Sequence, residues 1–303
     1  MSASKRSDCS RASRRAFILG LAAAIAGPAR AQTAEPASER LAQAADRLSA
    51  LETRAGGRLG VAVLDSGGPS ALLHRADERF PMCSTFKLLA SAAVLKRRDA
   101  GQDDLQRFIH YGQADLLDYA PVTRAQLAAG GMTLGALCAA AIDWSDNTAA
   151  NLILNAIGGP AGFTAFARSL GDSVTRLDRN EPTLNTAIPD DPRDTTSPLA
   201  MARDLQTVLL GVVLSEASRA QLEAWLIADK VGDKRLRAGL PAGWGIGDKT
   251  GSGDHGTANT IAILRPPGRA PLLAAVYYTQ GPDSPDARNA VHRQVGEIIA
   301  ATF

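Results

Sequence analysis

The stretch from Ser84 to Arg98, Ser-Thr-Phe-Lys-Leu-Leu-Ala-Ser-Ala-Ala-Val-Leu-Lys-Arg-Arg, decides how the rest of the chain is organised. From Thr85 onward the stretch is strongly helical, and its apolar side chains fall on several sides of the helix. A surface helix would carry a single apolar stripe, so this pattern predicts a helix in the centre of the fold.

Strand patterns lie on both sides of this central helix, near the two ends of the chain. The apolar segment 59–64 predicts a buried strand with 71–74 as its hairpin partner, and sheet-like segments return at 244–250, 260–264 and 272–278. Helical spacing of apolar residues predicts helices at 39–51, 134–142, 148–157, 162–170, 198–210, 216–227 and 286–303.

This order of elements predicts an α/β fold combined with an all-α part. We expect the terminal strands to pair in one antiparallel sheet flanked by the terminal helices, with an inserted all-helical domain. The α/β domain would comprise residues 32–76 and 232–303, and the all-α domain residues 77–231, including an irregular loop at 179–194. A cleft between the two domains is the natural site for chemistry.

The composition excludes several classes of protein. Of 303 residues, 45% are apolar and 21% are charged, with no long block of one sign, which argues against a disordered chain. The net charge of +2 arises from the first 31 residues, which contain six basic side chains and one acid, so the remainder is mildly acidic. Such a body has no electrostatic reason to bind nucleic acid or an anionic membrane.

The N-terminus has the features of an export signal. The segment Ser13-Arg14-Arg15-Ala16-Phe17-Ile18 resembles a twin-arginine motif, an apolar run continues to Ala26, and Ala29-Arg30-Ala31 supplies a small-x-small cleavage site. We therefore expect residues 1–31 to be a signal peptide and the mature protein to be periplasmic, without membrane contact after signal removal. The alternative is a basic, disordered tail.

Neither a metal nor a cofactor is expected. The four histidines and three cysteines show no metal-ligand spacing and no His-Glu-x-x-His motif. The chemistry must therefore come from the side chains of the protein.

A serine and a lysine begin the central helix. Ser84 and Lys87 are three residues apart, so they share one helical face and lie within reach of each other. A serine hydroxyl needs a nearby base to act as a nucleophile, and a lysine with a lowered pKa can be that base. By itself the pair is short enough to arise by chance, with Ser84 a helix cap and Lys87 a solvated side chain.

Two further polar motifs occupy positions where a cleft would form. Ser145-Asp146-Asn147 precedes a predicted helix, where such residues also serve as N-caps. Lys249-Thr250-Gly251 ends a predicted strand, where a lysine can simply protect a sheet edge. The functional interpretation gives the first motif a proton-relaying hydroxyl and a substrate-binding amide, and gives the second the binding of a substrate carboxylate.

The three motifs in this order resemble those of class A serine β-lactamases and penicillin-binding proteins. From about residue 40 to residue 303 the chain is most similar to class A enzymes, closest in motif to the extended-spectrum group. The similar stretches are 82–85, 164–168, 177–179, 181–185 and 191–198. The resemblance implies the β-lactamase/transpeptidase-like fold and a small-molecule β-lactam substrate.

By this resemblance, Glu181 is the base that activates water against the acyl-enzyme, and Asn185 orients that water. The loop 179–194 corresponds to the Ω-loop of the family, closed by an ion pair between Arg179 and Asp194. The bond before Pro182 is a candidate for the cis form, since an X–Pro bond makes that form accessible.

The resemblance also implies the substrate-binding residues. The backbone N–H groups of Ser84 and Ser252 would form the oxyanion hole. Tyr119 matches the aromatic residue that borders the cleft, and Asn147 would contact the acylamide of the substrate. Ser252 also resembles the serine of enzymes active on oxyimino-cephalosporins.

This sequence departs from the family pattern at several positions. Ala258 occupies the strand position where many class A enzymes place an arginine for the substrate carboxylate, and Arg235 matches an alternative source of that guanidinium. Cys83 resembles one half of a carbapenemase disulfide whose other half is Gly253 here, so this bridge cannot form.

A second family disulfide is absent as well. Cys138 matches one half of it, and Ser91 stands at the partner position. We therefore expect Cys83 and Cys138 to be free and buried.

The leading hypothesis is a monomeric β-lactamase of class A that hydrolyses penicillins and cephalosporins through a Ser84 acyl-enzyme. Either Lys87 or Glu181 removes the Ser84 proton, Ser145 protonates the leaving nitrogen, and Glu181-activated water releases the product. The alternatives are a D,D-peptidase or related acyl transferase, and a non-catalytic periplasmic binding protein. The substrate spectrum is left open by the sequence.

Overall fold

The computed structural model describes residues 36–303, and the predicted signal at 1–31 lies outside this part of the chain. The strands are β1 Arg58–Asp65, β2 Ala71–His74, β3 Phe80–Pro81, β4 Phe108–His110, β5 Gly131–Thr133, β6 Thr195–Thr196, β7 Gly245–Gly253, β8 Thr257–Arg265 and β9 Leu272–Thr279. The α-helices are α1 Ala37–Ala55, α2 Phe86–Asp99, α3 Pro121–Ala125, α4 Leu134–Asp143, α5 Asn147–Ile157, α6 Gly159–Ser169, α7 Pro198–Leu209, α8 Glu216–Ile227 and α9 Pro285–Thr302.

Strands from the two ends of the chain form one sheet, as the sequence predicted. The strand order is β2-β1-β9-β8-β7, and every neighbouring pair is antiparallel. The register places Gly251 of β7 opposite Asn259 of β8. This part of the sheet faces the start of α2, so the edge strand β7 can form one wall of a cleft.

The two faces of the sheet contribute to two different apolar cores. Successive side chains of a strand point to opposite faces, and β8 follows this rule. Ile261 and Ile263 belong to the core that contains α2, whereas Ala262 and Leu264 belong to the core built with α1 and α9. The terminal helices therefore cover one face and the inserted helices the other, and the predicted fold class is confirmed.

Helix α2 is buried along most of its length. All ten residues from Phe86 to Leu95 are buried, including Lys87. Phe86 packs edge-to-face on Phe163 of α6, with ring centroids 6.0 Å apart. The prediction of a central helix is confirmed, and its burial carries a lysine into the interior.

The middle of the chain also contains strands that the sequence analysis missed. Strand β3 pairs with β6 over two residues, and β4 pairs with β5 over three. Segments this short show no alternation of apolar and polar residues, which is why they were not predicted. Because they are present, the inserted part is mainly rather than wholly helical. The β3–β6 pair matters most, because it ties the chain just before Ser84 to the end of the loop 179–194.

Within residues 36–303, no helix has the length and apolar character needed to cross a membrane.

Candidate active site

Ser84 lies in a short 3-10 turn, Cys83–Thr85, that leads directly into α2. The sequence analysis placed Ser84 at the helix start; the α-helix proper begins two residues later, at Phe86, and the 3-10 turn before it starts at Cys83, which has a positive φ of 45°. The carbonyl of Met82 accepts a hydrogen bond from Thr85 Oγ1 at 2.8 Å. This tight turn places Ser84 just before the N-terminal end of α2.

Glu181 joins the serine and the lysine. Ser84 Oγ donates to Glu181 Oε1 at 3.1 Å, and Lys87 Nζ lies 3.0 Å from the same oxygen. The sequence analysis expected direct reach between Ser84 and Lys87; in the structure they meet through this carboxylate. One oxygen therefore contacts both the hydroxyl and the ammonium group.

The ammonium group of Lys87 is surrounded by acceptors. Besides Glu181, its Nζ donates to Asn147 Oδ1 at 2.6 Å and to the carbonyl of Ser145 at 2.8 Å, and Ser145 Oγ lies at 3.3 Å. Burial lowers the pKa of Lys87, and the negative charge of Glu181 opposes that effect. These four oxygens, on three residues, satisfy the three N–H donors of the ammonium group.

Glu181 is itself held from two sides. Asn185 Nδ2 donates to Glu181 Oε2 at 2.5 Å. Asn151 of α5 accepts from the Glu181 backbone N–H and donates to the Glu181 carbonyl, both at 2.9 Å. The peptide bond from Glu181 to Pro182 is cis. The sequence analysis missed Asn151, since no local pattern distinguishes it from the other polar residues of its helix.

The loop that carries Glu181 is closed at its ends. Arg179 Nε donates to Asp194 Oδ2 at 2.6 Å, and the side chain of Asp194 is fully buried. The backbone N–H groups of Asp178 and Arg179 donate to the other oxygen, Asp194 Oδ1, at 2.7 and 2.9 Å. The structure thus brings together the two residues expected to close the loop 179–194.

The segment 145–147 forms the opposite wall. Ser145 has a positive φ of 56°. Asp146 is buried; it caps α5 by accepting from the Ala149 N–H and also accepts from the backbone N–H of Thr123 in α3, each at 2.9 Å. The Asn147 N–H donates to the Tyr119 carbonyl at 3.1 Å. Asp146 is therefore a structural anchor, and Tyr119, half exposed, stands at the rim.

Strand β7 supplies the third wall. Lys249 is fully buried, and its Nζ donates to the carbonyl of Thr250 at 2.8 Å. Burial and the nearby charge of Lys87 lower the pKa of Lys249 to about 7. At Gly251, a Cβ would lie 2.9 Å from the Met82 carbonyl oxygen. Glycine at this position lets β7 lie directly against the turn that holds the serine.

These walls enclose a cleft of about 300 Å³. The residues that line it were all predicted from the sequence: Ser84, Tyr119, Ser145, Asn147, Asn185, Thr250, Gly251 and Ser252. The charged groups Lys87, Glu181 and Lys249 lie behind this lining with little or no exposure. The arrangement combines a hydroxyl group, a buried carboxylate and two buried lysines.

Three comparisons with known proteins agree with this geometry. The family model described as "Beta-lactamase enzyme family" matches residues 43–303. β-Lactamase CTX-M-8 of Citrobacter amalonaticus is 50% identical over 84% of this chain and 87% of its own length. β-Lactamase Toho-1 of Escherichia coli is 49% identical over 85% of this chain and 88% of its own. The solved structure of an ancestral (GNCA) class A β-lactamase matches with a TM-score of 0.85 and 59% identity, covering 86% of this chain and 100% of that chain.

The chain belongs to the class A β-lactamase family. The resemblance drawn from the three motifs, including the similarity to the extended-spectrum group, is confirmed. As a serine β-lactamase, the protein is a hydrolase of β-lactams.

The guanidinium group of Arg235 contacts the β7 wall of this class A site beside Ser252. Its Nη2 donates to Ser252 Oγ at 2.6 Å, and its Nη1 donates to the carbonyls of Gly251 and Asn259 at 2.7 and 2.8 Å. Burial and the charge of Arg288 lower its pKa to about 10. The structure thus places Arg235 where the sequence analysis expected a substitute for the arginine missing at Ala258.

The two cysteines of the described chain are free and buried, as predicted. A Cβ on Gly253 would lie 2.7 Å from Cys83 Sγ, so Gly253 does face Cys83, and its lack of a side chain excludes the bridge. Burial raises the pKa of the Cys138 thiol to about 12, which makes this thiol unreactive.

Among residues 36–303, no group of three or more His, Cys, Asp or Glu side chains could hold a metal ion.

Proposed function

We propose that this β-lactamase opens the lactam amide of penicillins and cephalosporins through an acyl-enzyme on Ser84, and that Glu181-activated water releases the product. The observation that carries the proposal is the double contact of Glu181 Oε1, which accepts from Ser84 Oγ and pairs with Lys87 Nζ. A serine becomes nucleophilic when an adjacent base can take its proton.

Glu181, rather than Lys87, takes the Ser84 proton in this proposal. An ammonium group has three donors and no lone pair, and Lys87 already faces acceptors on Glu181, Asn147 and Ser145. Lys87 therefore acts as the charged partner that stabilises the carboxylate. Lys87 Nζ also lies 3.3 Å from Ser145 Oγ, the group that passes a proton to the leaving nitrogen in this proposal.

Acylation follows from these contacts. Ser84 Oγ attacks the lactam carbonyl carbon while its proton passes to Glu181, and the negative oxygen is bound by the backbone N–H groups of Ser84 and Ser252. The carbon–nitrogen bond of the ring then breaks, and Ser145 passes its hydroxyl proton to the nitrogen. The proton held by Glu181 returns to Ser145 through the Lys87 ammonium group, which lies 3.0 Å from Glu181 Oε1 and 3.3 Å from Ser145 Oγ, so that Glu181 is again a carboxylate. The result is a ring-opened ester on Ser84.

Deacylation uses the same carboxylate a second time. Glu181 removes a proton from water, the hydroxide attacks the ester carbonyl, and Ser84 leaves with a proton returned to its oxygen. Asn185, at 2.5 Å from Glu181 Oε2, and Asn151 on the Glu181 backbone fix the base for this step. The product is a ring-opened acid of the penicilloate type.

Substrate binding is assigned to residues that line the cleft and to Lys249 and Arg235 beside it. Lys249, Thr250, Ser252 and Arg235 bind the substrate carboxylate, Asn147 binds the acylamide, and Tyr119 borders the ring system. The resemblance of Ser252 to the serine of enzymes active on oxyimino-cephalosporins supports these compounds among the substrates. A kinetic panel of penicillins, oxyimino-cephalosporins and a carbapenem defines the spectrum.

The proposal includes location and organisation. The basic, apolar and small-residue pattern of residues 1–31 supports export to the periplasm by the twin-arginine route. The loop 179–194 acts as the Ω-loop, within an all-α domain at 77–231, and residues 32–76 and 232–303 form the α/β domain. The mature enzyme acts as a monomer, which light scattering after size-exclusion chromatography tests.

The decisive test is Glu181→Ala with a penicillin. We expect hydrolysis to fall by about 10³-fold or more, because the base for both steps is lost. Acylation slows but continues with Lys87 as the remaining base near Ser84, whereas water has no other base, so an adduct of substrate mass accumulates slowly on Ser84. Intact-mass spectrometry and peptide mapping detect the adduct, and Glu78→Ala, a change of an exposed glutamate, is the control. Wild-type turnover by Glu181→Ala would overturn the deacylation role. A stable adduct on the wild-type enzyme would favour an acyl transferase, and no adduct on any variant a binding protein.

A further inference from the structure

Asn259 is a buried amide of β8 that lies outside the lining of the cleft. Its side chain has no solvent exposure, and such an amide costs free energy unless its polar atoms are paired. Nδ2 donates to the carbonyls of Pro81 and Met82 at 2.9 and 3.0 Å, and Oδ1 accepts from the Tyr278 N–H at 3.4 Å. The amide thus links the sheet to the chain that leads into the nucleophile turn.

The turn that receives these hydrogen bonds is strained. Cys83, between Met82 and Ser84, has a φ of 45°, a backbone conformation that is unfavourable for residues other than glycine. Strained backbone persists only where its surroundings fix it. The carbonyl of Met82, directly before the strained residue, accepts from both Asn259 Nδ2 and Thr85 Oγ1.

The backbone carbonyl of Asn259 contacts Arg235, on the β7 side of the site. This carbonyl accepts from Arg235 Nη1 at 2.8 Å, and Arg235 donates to Ser252 Oγ. Gly251, opposite Asn259 on β7, lies against the same turn, where a Cβ would be 3.2 Å from the Ser84 nitrogen. One residue of β8 therefore contacts both the nucleophile turn and the arginine beside the substrate-binding strand.

We propose that Asn259 is a positioning residue for acylation: its amide holds the 82–84 turn against β8, and so fixes Ser84 relative to the oxyanion donors and to Arg235. This inference rests on the proposed role of Ser84 as nucleophile. Asn259 touches no reacting atom and acts only through the turn. Misplacement of a reacting group by about 1 Å can cost about 100-fold in rate.

The test is Asn259→Ala, assayed per active site. A mechanism-based β-lactam inhibitor titrates the competent sites by intact mass, and stopped-flow measurement with a chromogenic cephalosporin gives the acylation rate constant for those sites. We expect that rate constant to fall about 10- to 100-fold, with the dissociation constant of the initial complex unchanged. The inference would be overturned if Asn259→Ala had fewer competent sites but those sites acylated at the wild-type rate. Asn259 would then only stabilise the fold.

Thr257→Val is the matched control on the same strand. Thr257 is also fully buried, and its hydroxyl pairs with Thr279 Oγ1 at 2.8 Å, away from the nucleophile turn. We expect this variant to melt at a lower temperature yet acylate at the wild-type rate per site. An equal loss of acylation rate in Thr257→Val and Asn259→Ala would mean that any buried defect in β8 slows acylation, and would overturn the specific role.

A double-mutant cycle with Thr85→Val tests the route through the Met82 carbonyl. Because Asn259 and Thr85 bond the same oxygen, we expect their effects on the acylation rate to be non-additive by at least about threefold. Additive effects would overturn this route.

The failure of the inference is distinguishable from failure of the proposed function. If the inhibitor forms no adduct on Ser84 of the wild-type enzyme, the acyl-enzyme mechanism fails. If the adduct forms and Asn259→Ala acylates normally, only the positioning role fails.

Discussion

Two lysines lie behind the cleft, and their surroundings differ. Lys87 on α2 and Lys249 on β7 both have no solvent exposure, and burial lowers the pKa of each. Lys87 pairs with Glu181 at 3.0 Å and has three further acceptors, Asn147 Oδ1 and the two oxygens of Ser145. Lys249 donates to its neighbouring carbonyl, at Thr250, and among the described residues it forms no ion pair.

The presence or absence of a carboxylate partner determines what a buried lysine can do. An ammonium group with a complete set of acceptors is fixed in place, and its charge is already compensated by the carboxylate beside it. An ammonium group without a carboxylate partner keeps its attraction for an incoming anion. We infer that Lys87 belongs to the proton-transfer group and Lys249 to the group that binds the substrate carboxylate.

The largest effect is expected for Lys87→Ala. Loss of the charge beside Glu181 leaves the base unsupported and disorders the contacts to Ser145 and Asn147, so acylation should slow by about 10³-fold or more. Stopped-flow acylation with a chromogenic cephalosporin measures the rate. Lys96→Ala is the control, since Lys96 is exposed on the same helix and donates to the Val213 carbonyl. Acylation at the wild-type rate, followed by a stalled adduct, would show that Lys87 serves deacylation instead.

Lys249→Ala should reduce activity less than Lys87→Ala, and it should act mainly by weakening substrate binding. Removal of one partner of a buried charge pair typically costs at least 2 kcal/mol, which corresponds to about 30-fold in kcat/KM. We expect this loss to lie mainly in KM for substrates with a free carboxylate. Steady-state kinetics with a penicillin and with its methyl ester separate the two cases. An equal loss for both substrates would contradict a role of Lys249 in carboxylate binding.

The pH dependence sharpens the same contrast. Because the pKa of Lys249 is lowered to about 7, the free enzyme loses this positive charge as the pH rises through that value. We therefore expect kcat/KM for carboxylate-bearing substrates to decline on the alkaline side of about pH 7, with no matching decline for a methyl ester. Parallel pH–rate profiles for the two substrates would show that another group controls the alkaline limb.

The smallest effect is expected for Arg235→Ala. Arg235 already donates to two backbone carbonyls and to Ser252, and Lys249 would still attract the substrate carboxylate in the variant. We expect KM for penicillins to rise about 3- to 10-fold, within the usual range for partly exposed charge contacts, while kcat changes little. Arg293→Ala, on the outer surface of α9, is the control. An unchanged KM would remove Arg235 from the substrate site.

Much of the fold and the lining of the site followed from the sequence. The central helix, the strands at both chain ends and the helices between them have clear periodicity, because each long element must bury an apolar face. The paired strands β3 and β6 were missed, since two residues carry no periodic signal. Their pairing is decided by what the neighbouring chain offers, and that is a tertiary property.

The polar residues divide in the same way. Ser84, Lys87 and Glu181 could be named from motifs that resemble a family, but their common contact at Glu181 Oε1 could not. Asn151 and Asn259 had no signal at all. They lie far along the chain from the groups they hold, and an asparagine in a helix or strand reveals nothing about its partners.

By itself, the sequence determined the long helices and strands, their order, the family and the residue types available for catalysis, because periodicity and short motifs are local properties. Only the tertiary structure decided which carboxylate faces which cation. Lys87 and Lys249 are equally buried lysines; the packing of the loop 179–194 against α2 gives Glu181 to the first, while β7 leaves the second without a carboxylate partner among the described residues. Charge interactions depend on distance and burial, which are fixed only when separated segments pack together.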